Sequence, residues 1–130
     1  MLIEPGLANE ITHSVAESDT ATVYGSGLAP VLSTPHLIAL MENAAQTMLT
    51  PYLERGQSSV GTGIDIRHLA ATPVGMPVRV RAEVIEVALP RVCFRVEAWD
   101  AVEKIGEGEH ERFIIDCERF MARVARKQGV

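Results

Sequence analysis

Residues 33–45 read Ser33-Thr34-Pro35-His36-Leu37-Ile38-Ala39-Leu40-Met41-Glu42-Asn43-Ala44-Ala45, and the fold turns on this stretch. Thr34 supplies an N-cap oxygen, and Pro35 suits the first helical position, where no N–H is needed. The spacing predicts a helix from Pro35 to Leu49 that stops before Pro51, because a proline ring clashes with the preceding helical turn. At about 100° per residue, Leu37, Ile38, Met41, Ala44, Ala45, Met48 and Leu49 cover one broad face, while His36, Asn43, Thr47 and Thr50 cluster opposite. Such a helix lies half-wrapped by a sheet.

Downstream, past the turn at Glu54-Arg55-Gly56, the period changes from helical to two, the mark of strands with one buried face. Ile64, Ile66 and His68 share one face of the first strand, and Val78, Val80, Ala82 and Val84 one face of the second. In the third, Val92, Phe94, Val96 and Ala98 alternate with Cys93, Arg95, Glu97 and Trp99; a fourth spans Lys104 to Asp116. Phe120, Met121 and Val124 indicate a short closing helix. Upstream, Ile11, His13 and Val15 give strand character to part of Glu10–Val23, and Tyr24–Leu32 (YGSGLAPVL) reads as a loop. Tight connections are expected at Thr72-Pro73-Val74-Gly75 and Ala88-Leu89-Pro90-Arg91. The class is therefore α+β, a curved antiparallel sheet wrapped around one central helix, which is the hotdog fold. One helix cannot cover such a sheet and its end strands have edges to protect, so a homodimer is expected.

At 130 residues the chain fits one domain, 1–130, with enough length to bury a core without staples. The net charge of −5 excludes the broad basic surface that nucleic acid requires, although two or three local cations suffice for a ligand with few phosphates. Cys93 and Cys117 match no metal or redox spacing and read as small hydrophobes in a reduced, cytoplasmic setting. The start, MLIEPGLANEITHSV, has no basic region leading into an apolar one, and no window approaches 18 uninterrupted apolar residues. Neither secretion nor membrane insertion is expected.

Three residues stand out chemically. Glu42 sits beside Ile38 and Leu49 at the margin of the apolar helix face, where a partly desolvated carboxylate suits a general base or a group that orients water; a boundary glutamate can equally bend out to solvent. Thr34 is accounted for by capping alone, and it gains a chemical role only if its hydroxyl enters the same cavity as Glu42, two turns along. His68 continues the inward face of Ile64 and Ile66, as a hydrogen-bonded core histidine or as a catalyst. His13, His36 and His110 are read as solvated. Gly61 and Gly63 match no phosphate loop and serve close backbone approach or a free N–H for an oxyanion. Arg119, Arg123, Arg126 and Lys127 recur at helical spacing, as a solvated face or a phosphate contact.

Taken in order, STPHLIALMENAA (33–45), VGTGIDIRHLAATPVGMPVRVRAEV (60–84) and EAWDAVEKIGEGEHERFIID (97–116) resemble the fluoroacetyl-CoA thioesterase-like family of hotdog proteins. The core motif is a Thr eight residues before a Glu on the central helix, with a His in H-x-A-A-T-P-x-G. The resemblance implies a catalytic set of Thr34, Glu42 and His68 converging on a thioester carbonyl, with Gly61 as the glycine seven residues before the histidine. It implies an acyl-CoA thioesterase in which Thr34 attacks, or positions an attacking water, while Glu42 accepts the proton directly or through that water and His68 assists proton transfer to the leaving thiolate or the acyl α-carbon. Leu28, Val31, Arg119 and Arg123 complete the expected substrate contacts, and no metal or further cofactor is implied beyond coenzyme A as part of the substrate. The loop before Thr34, GSGLAPVLS, lacks the aromatic residue of that family, so a short or medium acyl-CoA is expected in place of fluoroacetyl-CoA. Two other functions fit the same fold: an enoyl-thioester hydratase, disfavoured because Glu42 and His68 are far apart in sequence, and a module that binds acyl-CoA without turnover.

Overall fold

The computed structural model describes residues 2–129 and runs β1 (Ala8–Ser14), a 3-10 turn (Glu17–Asp19), α1 (Ala21–Tyr24), α2 (Thr34–Leu49), β2 (Gln57–His68), β3 (Pro77–Ala88), β4 (Arg91–Trp99), β5 (Lys104–Asp116) and α3 (Cys117–Ala125). Ser33, and not Thr34, is the N-cap of α2. Its Oγ accepts from the His36 N–H at 3.1 Å, and its carbonyl takes the first helical bond, from Leu37 N–H at 3.0 Å. Thr34 is thereby the first residue of the helix, released from capping.

The buried face of α2 is Leu37, Leu40, Met41, Ala44, Ala45, Met48 and Leu49, so Leu40 joins the expected set and Ile38 stays half-exposed. It lies on Val78, Val80, Ala82 and Val84 of β3 and Val92, Phe94, Val96 and Ala98 of β4, all fully buried in one core. The helix also touches β5 closely. A Cβ on Gly106 would stand 2.9 Å from Leu37 Cδ2 and 3.2 Å from Met41 Cε, so a side chain there would force both core residues to shift.

All strand pairs are antiparallel, in the order β1-β3-β4-β5-β2. The 88–91 connection closes a hairpin as expected. The 69–76 connection does not: it is a crossover that carries the chain from β2, at the far edge beside β5, to β3. Its backbone is occupied elsewhere, because Leu32 N–H donates to Thr72 O at 2.9 Å, Val31 bridges Pro73, and Thr72 Oγ1 donates to Asp100 Oδ2. The start of α2 is thus anchored where β2 ends.

β2 contains a bulge. Gly61 pairs with Arg112 and Gly63 with Glu111, which leaves Thr62 extra. An extra residue reverses the alternation of faces, so Ser59 and Gly61 point to the helix side together with Ile64, Ile66 and His68. On β5 the inward positions are Gly106, Gly108, His110, Arg112 and Ile114, with Glu107, Glu109 and Glu111 on the opposite face. His110 is accordingly 2% exposed, not solvated, because the glutamates flanking it alternate away from the core.

Candidate active site

Two polar clusters lie along α2. At its start, the exposed Thr34 hydroxyl is 2.8 Å from Nδ1 of His68, the last residue of β2. The crossover described above produces this meeting of residues 34 positions apart. His68 Nε2 is buried without a hydrogen-bond partner among the described residues. Burial pushes the His68 imidazolium pKa below its ordinary 6.5, against a smaller opposing contribution from the Ala70 backbone. A neutral imidazole therefore faces a hydroxyl at 2.8 Å, within the reach general-base catalysis needs.

Two turns further along, Glu42 leaves the helix toward β2 and β5. A Cβ on Gly61 would collide with Glu42 Oε2, so any larger residue there would displace the carboxylate from this position. Arg112 Nη1 is 3.5 Å from the same oxygen, with its side chain 7% exposed against 43% for Glu42. The guanidinium is held from behind, donating to Ser59 Oγ at 2.9 Å and Ser59 O at 3.1 Å, with His110 Nε2 at 3.2 Å. Burial disfavours the Arg112 charge and the Glu42 carboxylate supports it. His110 is fixed in turn by Gly63 O, 2.8 Å from its Nδ1; burial, and the Arg112 charge after it, hold its pKa down although the Gly63 bond opposes this. Arg112 and His110 escaped sequence reasoning. The alternation from Gly106 to Ile114 was their signal, hidden because an inward face of Gly, His and Arg is not apolar.

The structure brings Thr34 to His68 but does not bring Glu42 to either of them. About 12 Å of helix separates residues 34 and 42. Val31 lies in the bridge to Pro73 near Thr34, while Leu28 is 96% exposed. Arg119 and Arg123 line a separate cleft of about 780 Å³ with Tyr52, Ile114 and Phe120. That cleft belongs to the Gln57–Asp116 end of the β2–β5 pair, whereas His68 pairs with Gly106, about 33 Å along the strands.

A five-stranded antiparallel sheet folded round one long helix is a hotdog, and a hydroxyl, an imidazole and a carboxylate ranged along that helix are the groups of acyl-transfer chemistry. This defines the class as hotdog thioesterases. The sequence matches the profile of the family described as fluoroacetyl-CoA-specific thioesterase over residues 15–118. It is 45% identical over 97 residues to the fluoroacetyl-CoA thioesterase of Streptantibioticus cattleyicolor, spanning 75% of this chain and 70% of that protein. A solved structure of a fluoroacetyl-CoA thioesterase superposes with a TM-score of 0.93 at 36% identity, covering 98% of both chains. A thioesterase superfamily member from Thermus thermophilus does so with a TM-score of 0.91 at 30% identity, covering 98% of this chain and 94% of the other. The chain belongs to the fluoroacetyl-CoA thioesterase family and is a thioester hydrolase of the hotdog fold.

Proposed function

We propose that the enzyme hydrolyses the thioester of a short or medium acyl-CoA between the start of α2 and the bulge of β2, with Thr34, Glu42 and His68 as its catalytic groups. The contact of Thr34 Oγ1 with His68 Nδ1 at 2.8 Å carries this reading. The Thr34 hydroxyl attacks the carbonyl, or holds the attacking water, as His68 takes its proton and later returns it to the departing thiolate. Where Thr34 is the nucleophile, Glu42, steadied by Arg112 and acting through bridging water across the roughly 12 Å of helix, takes the proton of the hydrolytic water and returns it to the Thr34 oxygen as the acyl–threonine ester breaks and the carboxylic acid leaves. A peptide N–H at the Gly61–Gly63 bulge, or that of Thr34 at the start of α2, is offered to the negative charge developing on the carbonyl oxygen, the His36 and Leu37 N–H groups being taken by Ser33. The segment preceding Thr34 has no aromatic residue after Tyr24, and with Leu28 and Val31 there the acyl pocket suits an ordinary alkyl chain. No helix among the described residues is long and apolar enough to cross a membrane, and Cys93 and Cys117 are unpaired, which suits a reducing compartment such as the cytoplasm.

Thiol release measured across acyl-CoA chain lengths tests the assignment, with turnover expected on short or medium chains. Tight binding without thiol release on every chain length would overturn it. Run against pH, the same assay carries a sign. His68 must be neutral to accept a proton, and its pKa is lowered, so kcat/KM should hold above pH 6.5 and fall only as pH drops beneath that ordinary value. An acid limb above pH 6.5 would remove His68 from the base role.

The enzyme is further proposed to act as a homodimer joined along β2. This 12-residue strand is an edge whose outer backbone groups need partners. Antiparallel pairing of two β2 strands about their middle sets the Gln57 end of one beside the His68 end of the other. It thereby carries Arg119 and Arg123 of one protomer toward the Thr34–His68 pair of its partner, where coenzyme A phosphates need cations. Sedimentation equilibrium should give the mass of two chains; a single-chain mass at assay concentrations would refute this arrangement.

A further inference from the structure

We propose that His13, Asp19 and His36 form a binding site for one divalent transition-metal ion of the zinc type, separate from the thioesterase groups. The three come from β1, the 3-10 turn and the first turn of α2, and their ligand atoms all lie within 4.8 Å of one another. Asp19 is 4% exposed, an unusual place for a carboxylate, and it faces two imidazoles. His13 Nε2 is 2.6 Å from Asp19 Oδ2. His36 Nε2 is 3.2 Å from Asp19 Oδ1 but not aligned with it for a hydrogen bond, so it is a buried nitrogen with no hydrogen-bond partner among the described residues.

The surroundings are those of a ligand set. Tyr24 OH stands 2.8 Å from His36 Nδ1, which fixes the ring and presents Nε2 inward, the arrangement that outer partners impose on metal-bound histidines. Asp19 Oδ2 also accepts from Ala16 N–H at 2.8 Å, so the carboxylate is held in place. Burial works against ionisation of Asp19, yet the Ala16 and His13 hydrogen bonds and the nearby His36 keep its pKa below the usual range. Two imidazole nitrogens and a carboxylate oxygen suit zinc, whose bonds of about 2.0–2.2 Å place tetrahedral donors about 3.3 Å apart. The 3.2 Å separation is to Oδ1 and the 2.6 Å one to Oδ2, and the three ligand atoms, all within 4.8 Å of one another, close on a single ion by small side-chain rotations. The His13 ring, about a third exposed, leaves an entry path for the ion and a water in the fourth position.

His13 and His36 were expected to be solvated, and their side chains instead converge on a buried carboxylate. The tertiary reason is the run of bonds tying this segment to α2: Ser33 N–H donates to Asp19 O at 3.0 Å, and Thr20 bridges Leu32. A bound ion would staple β1, the 3-10 turn and the helix start together.

The test uses the full-length protein stripped with chelator and titrated with zinc chloride. Calorimetry should give one ion per chain, and Tm should rise with zinc, since a ligand bound only by the folded state stabilises it. In NMR spectra of the histidine side chains, the rings of His13 and His36 should shift on zinc addition while those of His68 and His110 stay in place; this reading requires no variant. His36→Asn and Asp19→Asn should each weaken binding at least tenfold, and Tyr24→Phe about tenfold through the freed ring. No binding to the wild type, or ring shifts confined to His68 and His110, would overturn the site. So would zinc affinity that His36→Asn leaves unchanged.

Discussion

Thr34→Ala should lower kcat for acyl-CoA hydrolysis by about 10²–10⁴-fold, the range associated with losing a group that takes part in proton transfer or attack, while leaving stability nearly untouched. The second half of that expectation comes from the structure. Ser33 is the residue that caps α2, through its Oγ and the His36 N–H, so the Thr34 hydroxyl carries no helix-capping duty. Its partner is His68 Nδ1 at 2.8 Å. Ser33→Ala should show the opposite profile: a loss of about 1 kcal/mol, or about 3–5 °C in Tm for a chain of this size, with kcat close to wild type. Thr34→Ser, which keeps the hydroxyl, should retain most of the turnover. The readouts are thiol release and thermal unfolding on the three variants side by side. Near-wild-type kcat in Thr34→Ala would remove the hydroxyl from the mechanism.

Glu42→Gln should also reduce kcat by about 10²–10⁴-fold, because an amide keeps the shape of the carboxylate but cannot take a proton from water. Its cost to folding should be small. Arg112 loses its one anionic neighbour among the described residues, yet it still donates to Ser59 Oγ and Ser59 O. With Glu42 43% exposed, solvent screens the pair, which limits its contribution to about 1 kcal/mol or less. Tm is therefore expected to move by a few degrees while kcat collapses. If kcat and Tm fell in proportion, Glu42 would be a structural counter-ion to Arg112; if kcat held, its catalytic role would be refuted.

The two variants probe groups that differed in legibility. Glu42 stood out in the sequence because it sits at the edge of an apolar helical face, and the helix itself follows from local periodicity. His68 was legible as inward-facing because it shares parity with Ile64 and Ile66, all beyond the bulge. Ser59 and Gly61 lie before the bulge, where the parity is opposite, so simple alternation assigns them to the wrong face. Register, set by pairing with β5, corrects this. His110 and Arg112 were lost for a related reason. Their neighbours Glu107, Glu109 and Glu111 give the run a polar look, and between Ile105, which is buried, and Ile114 no apolar residue marks its inner side.

Strand order was the largest departure. Reading 69–76 as a tight connection sets β2 next to β3, but the segment is held by Leu32 and Asp100, and β2 lies at the opposite edge. That displacement places His68 at the start of α2 and leaves the long β2 as an edge of the sheet.

By itself the sequence determined the long helix, the alternating strands, the closing helix and the hotdog arrangement, because caps, prolines and hydrophobic period act between residues a few positions apart. Only the tertiary structure decided which polar groups meet. Thr34 and His68 are separated by 34 positions and Glu42 and Arg112 by 70, while His36 and Asp19 sit on different elements. Such encounters depend on strand order, on register and on a single extra residue in β2, none of which a local period encodes.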